Sequence, residues 1–469
     1  MAITSRLWGL RVLLAVPVAW VAWGATLLAP DAGAAESHWS GDVEVTTDTT
    51  IAAGDVLVID AGAVVTVRAT ASLLLIDAGA ELRVEEGAQF LIASREECVT
   101  ASATEHEASC FRIEARGLLA VEGQPGRPVS FSAIGDTVGG WGGIGVSGAV
   151  ASCEVAYAEI RDAKVGIVAD GLIDGINPRC TVHDGVFAAN QIHAALANDQ
   201  SHLWLYDNHF TNHPVDAGGW HGSVVKLAED ADGRIENNVF AGNGEAAVVI
   251  DNASPLVINN TIVTSGIGIA ISSDRAAPGV APEIRNNIVL RDGSEPGWAI
   301  DCEDRCSVLD CRPAPLVAYN NAYDPVSGAL LGHGDSAWTP CSFLDQTAYE
   351  AAFNISADPL FASPARGDYR LLLGPVASPS IDAGDPDPYY NDVSFPPSLG
   401  WATNDQGAYG GPRAALMALP VPLTGAWAAL LLAAGVGVTR PRRRQAPPAS
   451  GSSAAKRRRT ASSSATRRS

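Results

Sequence analysis

The chain has 469 residues, with 47 glycines, 6% aromatic residues and a formal charge of −21. Residues 36–413 hold 51 of the 52 acidic and 19 of the 31 basic residues, a net of −32, whereas residues 440–469 hold ten basic residues and no acid. A body this acidic excludes binding of nucleic acid or anionic lipid through its own field and attracts cations instead. Its length and glycine content suit a solenoid, which grows in one dimension, rather than one round core.

Residues 1–34 read as an export signal: Arg6 and Arg11 are basic, Val12 to Leu28 is mostly apolar, and Ala32-Gly33-Ala34 supplies the small residues for cleavage. Eight cysteines in an exported chain are expected to form disulfides. Cys98 and Cys110 bracket a polar stretch and would staple one loop, while Cys153 and Cys180 would pair. Cys302, Cys306, Cys311 and Cys341 can pair in three ways, with a zinc site as the alternative.

Residues 35–131 are short alternating strands split by glycine corners, expected to form the first coils and cap of a solenoid. The phrase Ile59-Asp60-Ala61-Gly62-Ala63 returns 17 residues later as Ile76-Asp77-Ala78-Gly79-Ala80. Then come Gly117-Leu118-Leu119-Ala120-Val121-Glu122-Gly123, Pro128-Val129-Ser130-Phe131, Trp141-Gly142-Gly143-Ile144 and Val155-Ala156-Tyr157-Ala158-Glu159-Ile160. This succession resembles the secreted bacterial right-handed parallel β-helix proteins, whose coils would cover roughly residues 45–340, with the main helix over 132–340.

Between Cys180 and Tyr323 a phrase recurs: a polar pair, any residue, then a large apolar one. It reads Asp184-Gly185-Val186-Phe187, Asp207-Asn208-His209-Phe210, Asn237-Asn238-Val239-Phe240, Asn259-Asn260-Thr261-Ile262, Asn286-Asn287-Ile288-Val289 and Asn320-Asn321-Ala322-Tyr323. From Gly185, the second polar residue recurs after 23, 30, 22, 27 and 34 residues. A nearly constant minimum with irregular additions marks a coil of fixed circumference carrying loops. Asn, Asp and Gly tolerate the left-handed backbone of a sharp corner, and stacked Asn side chains can form a hydrogen-bonded ladder.

Residues 341–413, with Ala357-Asp358-Pro359-Leu360-Phe361, Ser378-Pro379-Ser380-Ile381-Asp382-Ala383-Gly384-Asp385 and Asp405-Gln406-Gly407-Ala408-Tyr409, resemble the choice-of-anchor Q segment, which implies a terminal cap and a surface address. In 414–439, Pro420-Val421-Pro422 precedes an apolar run from Leu423 to Val438 that ends before Arg442-Arg443-Arg444. This is similar to a tripartite sorting signal, implying a hydrophobic helix in the membrane, a sorting protease as partner, and arginines held in the cytoplasm. Residues 440–469 read as a disordered basic tail.

Six of the nine histidines fall between His183 and His221, among Trp204, Tyr206, Trp220, Asp207 and Asp216. Matching positions in adjacent coils lie about 4.8 Å apart. Asp184 and Asp207 would then approach the separation of about 5–5.5 Å used by retaining glycosidases. His209 is a candidate partner, and Lys226, beside Glu229 and Asp230, is the candidate base for β-elimination. Trp204, Tyr206, His213, Trp220 and His221 are the candidate ligand-binding residues, the tryptophans offering apolar faces to a sugar ring. Corner hydrogen bonding is an alternative role for Asp184 and Asp207. No Asn-Thr-Asp-Gly phrase of the β-helix pectin hydrolases and no His-Glu-x-x-His zinc motif occurs. Asp382, Asp385, Asp387 and Asp392 offer oxygen ligands that would suit Ca²⁺, although no cofactor is required.

The expectation is an all-β, right-handed parallel β-helix, exported and held at the cell surface, with a binding or adhesive role towards an extracellular polysaccharide or the cell envelope. The alternatives are a polysaccharide lyase or glycosidase and a structural envelope component.

Overall fold

The computed structural model describes residues 34–100, 110–171, 177–214, 223–243, 246–273, 280–292, 298–304, 315–325, 331–332, 339–340 and 351–414. The expected export signal and the C-terminal helix and tail lie outside these residues. Among the described residues no helix is long and apolar enough to cross a membrane.

Three parallel sheets form the body. Sheet A runs from Glu36–Trp39 to Leu316–Ala318, sheet B from Asp42–Val45 to Asn321–Tyr323, and sheet C from Thr49–Ile51 to Leu331–Gly332. Each strand pairs with the strand three later in the chain, so one coil contributes one strand to each sheet. Register along sheet A links Val155, Val182, Leu205, Ile235, Val257 and Ile284. Alternation decides what faces inward. In Glu81–Glu85, Leu82 and Val84 are buried while the charged residues face out. Inward rings stack from coil to coil, Phe90 on Phe131 at 4.8 Å, Phe187 on Phe210 at 5.0 Å and Phe210 on Phe240 at 4.6 Å.

In the first coils the 17-residue echo is not the coil repeat. Ile59 ends a strand of sheet A and Ile76 a strand of sheet C, so the two phrases turn different corners. From Ile59 the next coil comes 25 residues on: Ile59 pairs with Val84, and Gly87 stacks beside Gly62, both at positive φ. The phrase returns early because every side of the triangle needs the same strand-then-glycine grammar.

The asparagine column is present. Asn208 donates through Nδ2 to Asn238 Oδ1 at 3.1 Å, and the series continues through Asn260, Asn287, Asn320 and Asn354 at 3.0 Å per step. Each internal rung is satisfied: Asn238 Nδ2 also donates to Leu205 O and Glu236 O, while its Oδ1 accepts from Asn208 N. The last phrase is shifted by one residue. Asn320 takes the rung and Ala322 faces the core, so the step from Asn287 is 33 residues rather than 34.

The residue before each rung has a left-handed backbone: Asp184, Asp207, Asn237, Asn259 and Asn286 have φ between 52° and 57°. Tyr157 and Tyr319 adopt the same conformation at φ 49° and 57°. Their bulk hid these two corners from a pattern built on Asn, Asp and Gly.

Two disulfides match expectation, Cys98–Cys110 and Cys153–Cys180, the second joining register partners on adjacent strands of sheet A. Cys302 is disulfide-bonded. Its possible partners Cys306, Cys311 and Cys341 lie outside the described residues.

The C-terminal segment first follows the last coil, where Ile355 N donates to Asn320 O at 2.8 Å, and then turns back along the helix. Residues 378–414 fold back along the corner between sheets A and B and form a strap on the side of the helix. Asn321 Nδ2 donates to Ser380 Oγ at 2.9 Å, and Asn286 Oδ1 accepts from Asp385 N at 2.8 Å. Asn259 Nδ2 donates to Asp405 O at 2.9 Å, and Asn237 Nδ2 to Ala408 O at 2.9 Å and Gly410 O at 2.7 Å. Ala408 and Tyr409 bury against Val239. In the pairs at 237–238, 259–260 and 286–287 the first asparagine binds the strap and the second builds the ladder; at 320–321 the shifted register reverses the roles, Asn320 taking the rung and Asn321 the strap.

Candidate functional site

The strand His202–Tyr206 shows Leu203 and Leu205 to the core and His202, Trp204 and Tyr206 to the outside. In-register pairing sets it between Arg179–His183 and Asp232–Glu236. The outer face of sheet A thus carries three adjacent rows: Arg179, Thr181 and His183; His202, Trp204 and Tyr206; Asp232, Arg234 and Glu236. Trp204 is 40% exposed, an uncommon state for so large an apolar ring, and the Arg179 guanidinium lies 5.2 Å from its centroid.

At the end of these strands the rings align. His183 lies flat on Tyr206, 4.8 Å between centroids with 3° between planes, and Tyr157 meets His183 edge-on at 6.3 Å. His183 Nδ1 is 2.9 Å from Asp184 Oδ2, and its Nε2 is 3.5 Å from Glu154 Oε1. The Asp184 hydrogen bond raises the His183 pKa above its ordinary value, against the opposing effect of burial.

Asp207 follows Tyr206 in the corner. It is 8% exposed, and its Oδ1 is buried without a hydrogen bond. Burial, reinforced by the charge of Asp184 next to it, pushes its carboxyl up to about 7; Glu236 adds to this, while Arg413 and His183 oppose it. Arg413 comes from the strap. Its guanidinium stands 4.0 Å over the Tyr206 ring, and its Nε is 3.5 Å from Glu236 Oε2. Arg234 also binds Glu236, through contacts of 2.7 and 3.1 Å.

This arrangement unites Asp184, Asp207, Trp204 and Tyr206 from the candidates named by sequence. It does not unite the others. His209 starts a strand of sheet B, is buried with an unbonded Nε2, and has its pKa lowered to about 4 by burial. His213 is likewise buried and lowered to about 4, its ring 3.3 Å from Asn190 O and 3.2 Å from Phe187 O. Burial favours the neutral ring in both. Lys226 lies on sheet C, with Nζ 3.6 Å from Asp251 Oδ2, so a base for Asp184 and Asp207 does not come from there. The remaining described histidines also diverge: His193 sits on sheet C against Ser223, and His202 pairs with Asp232 at the far end of its strand. Trp220 and His221 fall outside the described residues.

The four aspartates proposed for Ca²⁺ are engaged separately. Asp385 pairs with Arg285, Asp387 accepts from Tyr389 N, Asp382 accepts from Trp401 N, and Asp392 accepts from Gly411 N and Asp405 N. No group of three or more His, Cys, Asp or Glu that could hold a metal occurs among the described residues.

Sequence reasoning missed Tyr157, Glu154, Arg179, Glu236 and Arg413. Tyr157 was recoverable, since it precedes Ala158 as Asp184 precedes Gly185 and fills the same corner. Arg413 carried no signal, because only the folded strap brings it to Tyr206.

The family described as "Right handed beta helix region" matches residues 142–311. Among solved structures, the crystal structure of the periplasmic alginate epimerase AlgG is similar over 60% of this chain and 75% of that one, with 10% identity and a TM-score of 0.27. No curated protein matches the chain. With its three parallel sheets, the chain is a right-handed parallel β-helix.

Proposed function

We propose that this is an exported, surface-held β-helix that binds an extracellular polysaccharide on the outer face of sheet A. The observation that carries the reading is Trp204, an exposed ring flanked by Arg179 and followed on the same face by the stacked pair His183 and Tyr206. Flat rings beside charged hydrogen-bonding groups suit a sugar, which has one apolar face and a rim of hydroxyls. The likeness of the chain ends to an export signal and a sorting tail supports the location.

One observation favours a second reading, acid–base turnover of the polysaccharide. Asp207, with its pKa pushed up to about 7, stands in the corner next to that of Asp184, a pair of neighbouring carboxyl groups as acid–base catalysis would use. Asp207 is nearly buried, however, whereas Trp204 stands exposed, so binding is the better-supported function.

Affinity electrophoresis in gels containing polygalacturonate, alginate or xylan tests both. Binding predicts retardation by at least one polymer, weakened about tenfold in Trp204→Ala, with no loss of polymer length. Shortening of the polymer that disappears in Asp207→Asn would transfer the assignment to catalysis. Migration unchanged by every polymer would remove the binding reading.

A further inference from the structure

The strap ends at the very face assigned to binding, and it does so with a charge. Its path is set by the corner column. Asn286 takes Asp385 N and Gly407 N donates to Asn286 O; Asn259 takes Asn404 and Asp405; Asn237 takes Ala408 and Gly410. One corner further on, asparagine gives way to Asp207, then Asp184. There the strap stops offering main-chain carbonyls and presents Arg413 to Tyr206 and Glu236. Asp207 and Asp184 lack the amide with which asparagine holds two strap carbonyls, and Arg413 meets the Glu236 carboxylate there instead.

We infer that Arg413 is a positioning residue of the sheet A face, acting directly on Tyr206 and Glu236 from the docked strap. This rests on the binding reading above. Arg413 stands 4.0 Å over the ring of Tyr206, which also stacks on His183, so it holds one end of the aromatic row. Through Glu236 it also reaches Arg234, which that carboxylate holds on the neighbouring strand. One strap residue therefore orders a ring and a carboxylate on two adjacent coils. The segment that resembles a cap is, on this view, part of the recognition surface.

The full chain tests this in the same electrophoresis with polygalacturonate, alginate and xylan, using Arg413→Gln, Arg413→Lys and Trp204→Ala. Arg413→Gln is expected to weaken retardation about tenfold, and Arg413→Lys to recover part of it by restoring the charge. Amide exchange in residues 404–411 must stay as slow in Arg413→Gln as in the parent chain. Faster exchange there would make Arg413 a strap anchor and overturn the inference. Retardation unchanged in Arg413→Gln but lost in Trp204→Ala also overturns it, and leaves the binding reading standing. If Trp204→Ala also migrates as the parent chain does, the binding reading itself fails and this inference with it.

Discussion

Asn259 and Asn404 exchange side-chain hydrogen bonds across 145 residues of sequence: Asn259 Nδ2 donates to Asn404 Oδ1 at 3.0 Å, and Asn404 Nδ2 donates to Asn259 Oδ1 at 3.2 Å. The next residue, Asn260, turns the other way and donates to Asn287 inside the stack. Two identical neighbouring side chains thus serve two separate structures, because the left-handed corner at Asn259 sends them to opposite sides.

The pair can be dissected. Asn260→Ala removes an amide whose Nδ2 serves Ile235 O, Ile258 O and Asn287 Oδ1 and whose Oδ1 serves Asn238. Several buried groups lose their partners, so urea unfolding should show a loss of about 3 kcal/mol. Asn259→Gly keeps the left-handed backbone and removes the strap contacts together with one long bond, 3.4 Å, from Asn286 Nδ2. It should leave global unfolding nearly unchanged while speeding proteolysis within residues 404–411.

Asp207 makes stability fall as pH rises. Its folded pKa, about 7, lies above the ordinary 3.8, so between these values the folded protein holds a proton that the unfolded chain releases. The stability this confers is complete at low pH and is lost as pH rises through about 7. Asp392, at about 7, and Asp405, at about 6, act in the same sense, both through burial. Asp207→Asn should therefore raise the melting temperature at pH 8, change it little at pH 4, and flatten the slope between. An equal shift at both pH values would contradict the buried-acid assignment.

The buried histidines act with the opposite sign. His209 and His213 have folded pKa values of about 4, below the ordinary 6.5, so the unfolded chain takes up protons first on acidification. Their contribution is present above about 6.5 and is lost as pH falls towards 4. Replacing one of them, as in His209→Gln, should reduce the loss of stability between pH 6.5 and 4 in thermal melts, whatever it does to stability at pH 7.

Much of the helix was legible because its rules are local and repeated. Asn238 and Asn260 fall in corresponding phrases, and the column followed from coil stacking alone. The pattern slipped by one at Asn320, where Tyr319 fills a corner usually given to Asn or Asp, and the echo of Ile59 at Ile76 marks a second corner and not a second coil. The site was less legible. His209 and Lys226 looked close to Asp207 in the text, but three sheets face three directions, and a separation of a few residues can change the face. Arg413 was invisible, since its position depends on the strap, whose own residues follow no repeat although they bind the repeating corners Asn237 and Asn259.

The placement of the binding face is tested most directly by hydrogen–deuterium exchange of the full chain with and without whichever of polygalacturonate, alginate or xylan retards it. The account predicts slower exchange in Arg179–His183, His202–Tyr206 and Asp232–Glu236, centred on Trp204. Protection confined to sheet C around Lys226, or to the N-terminal coils before Glu81, would contradict it.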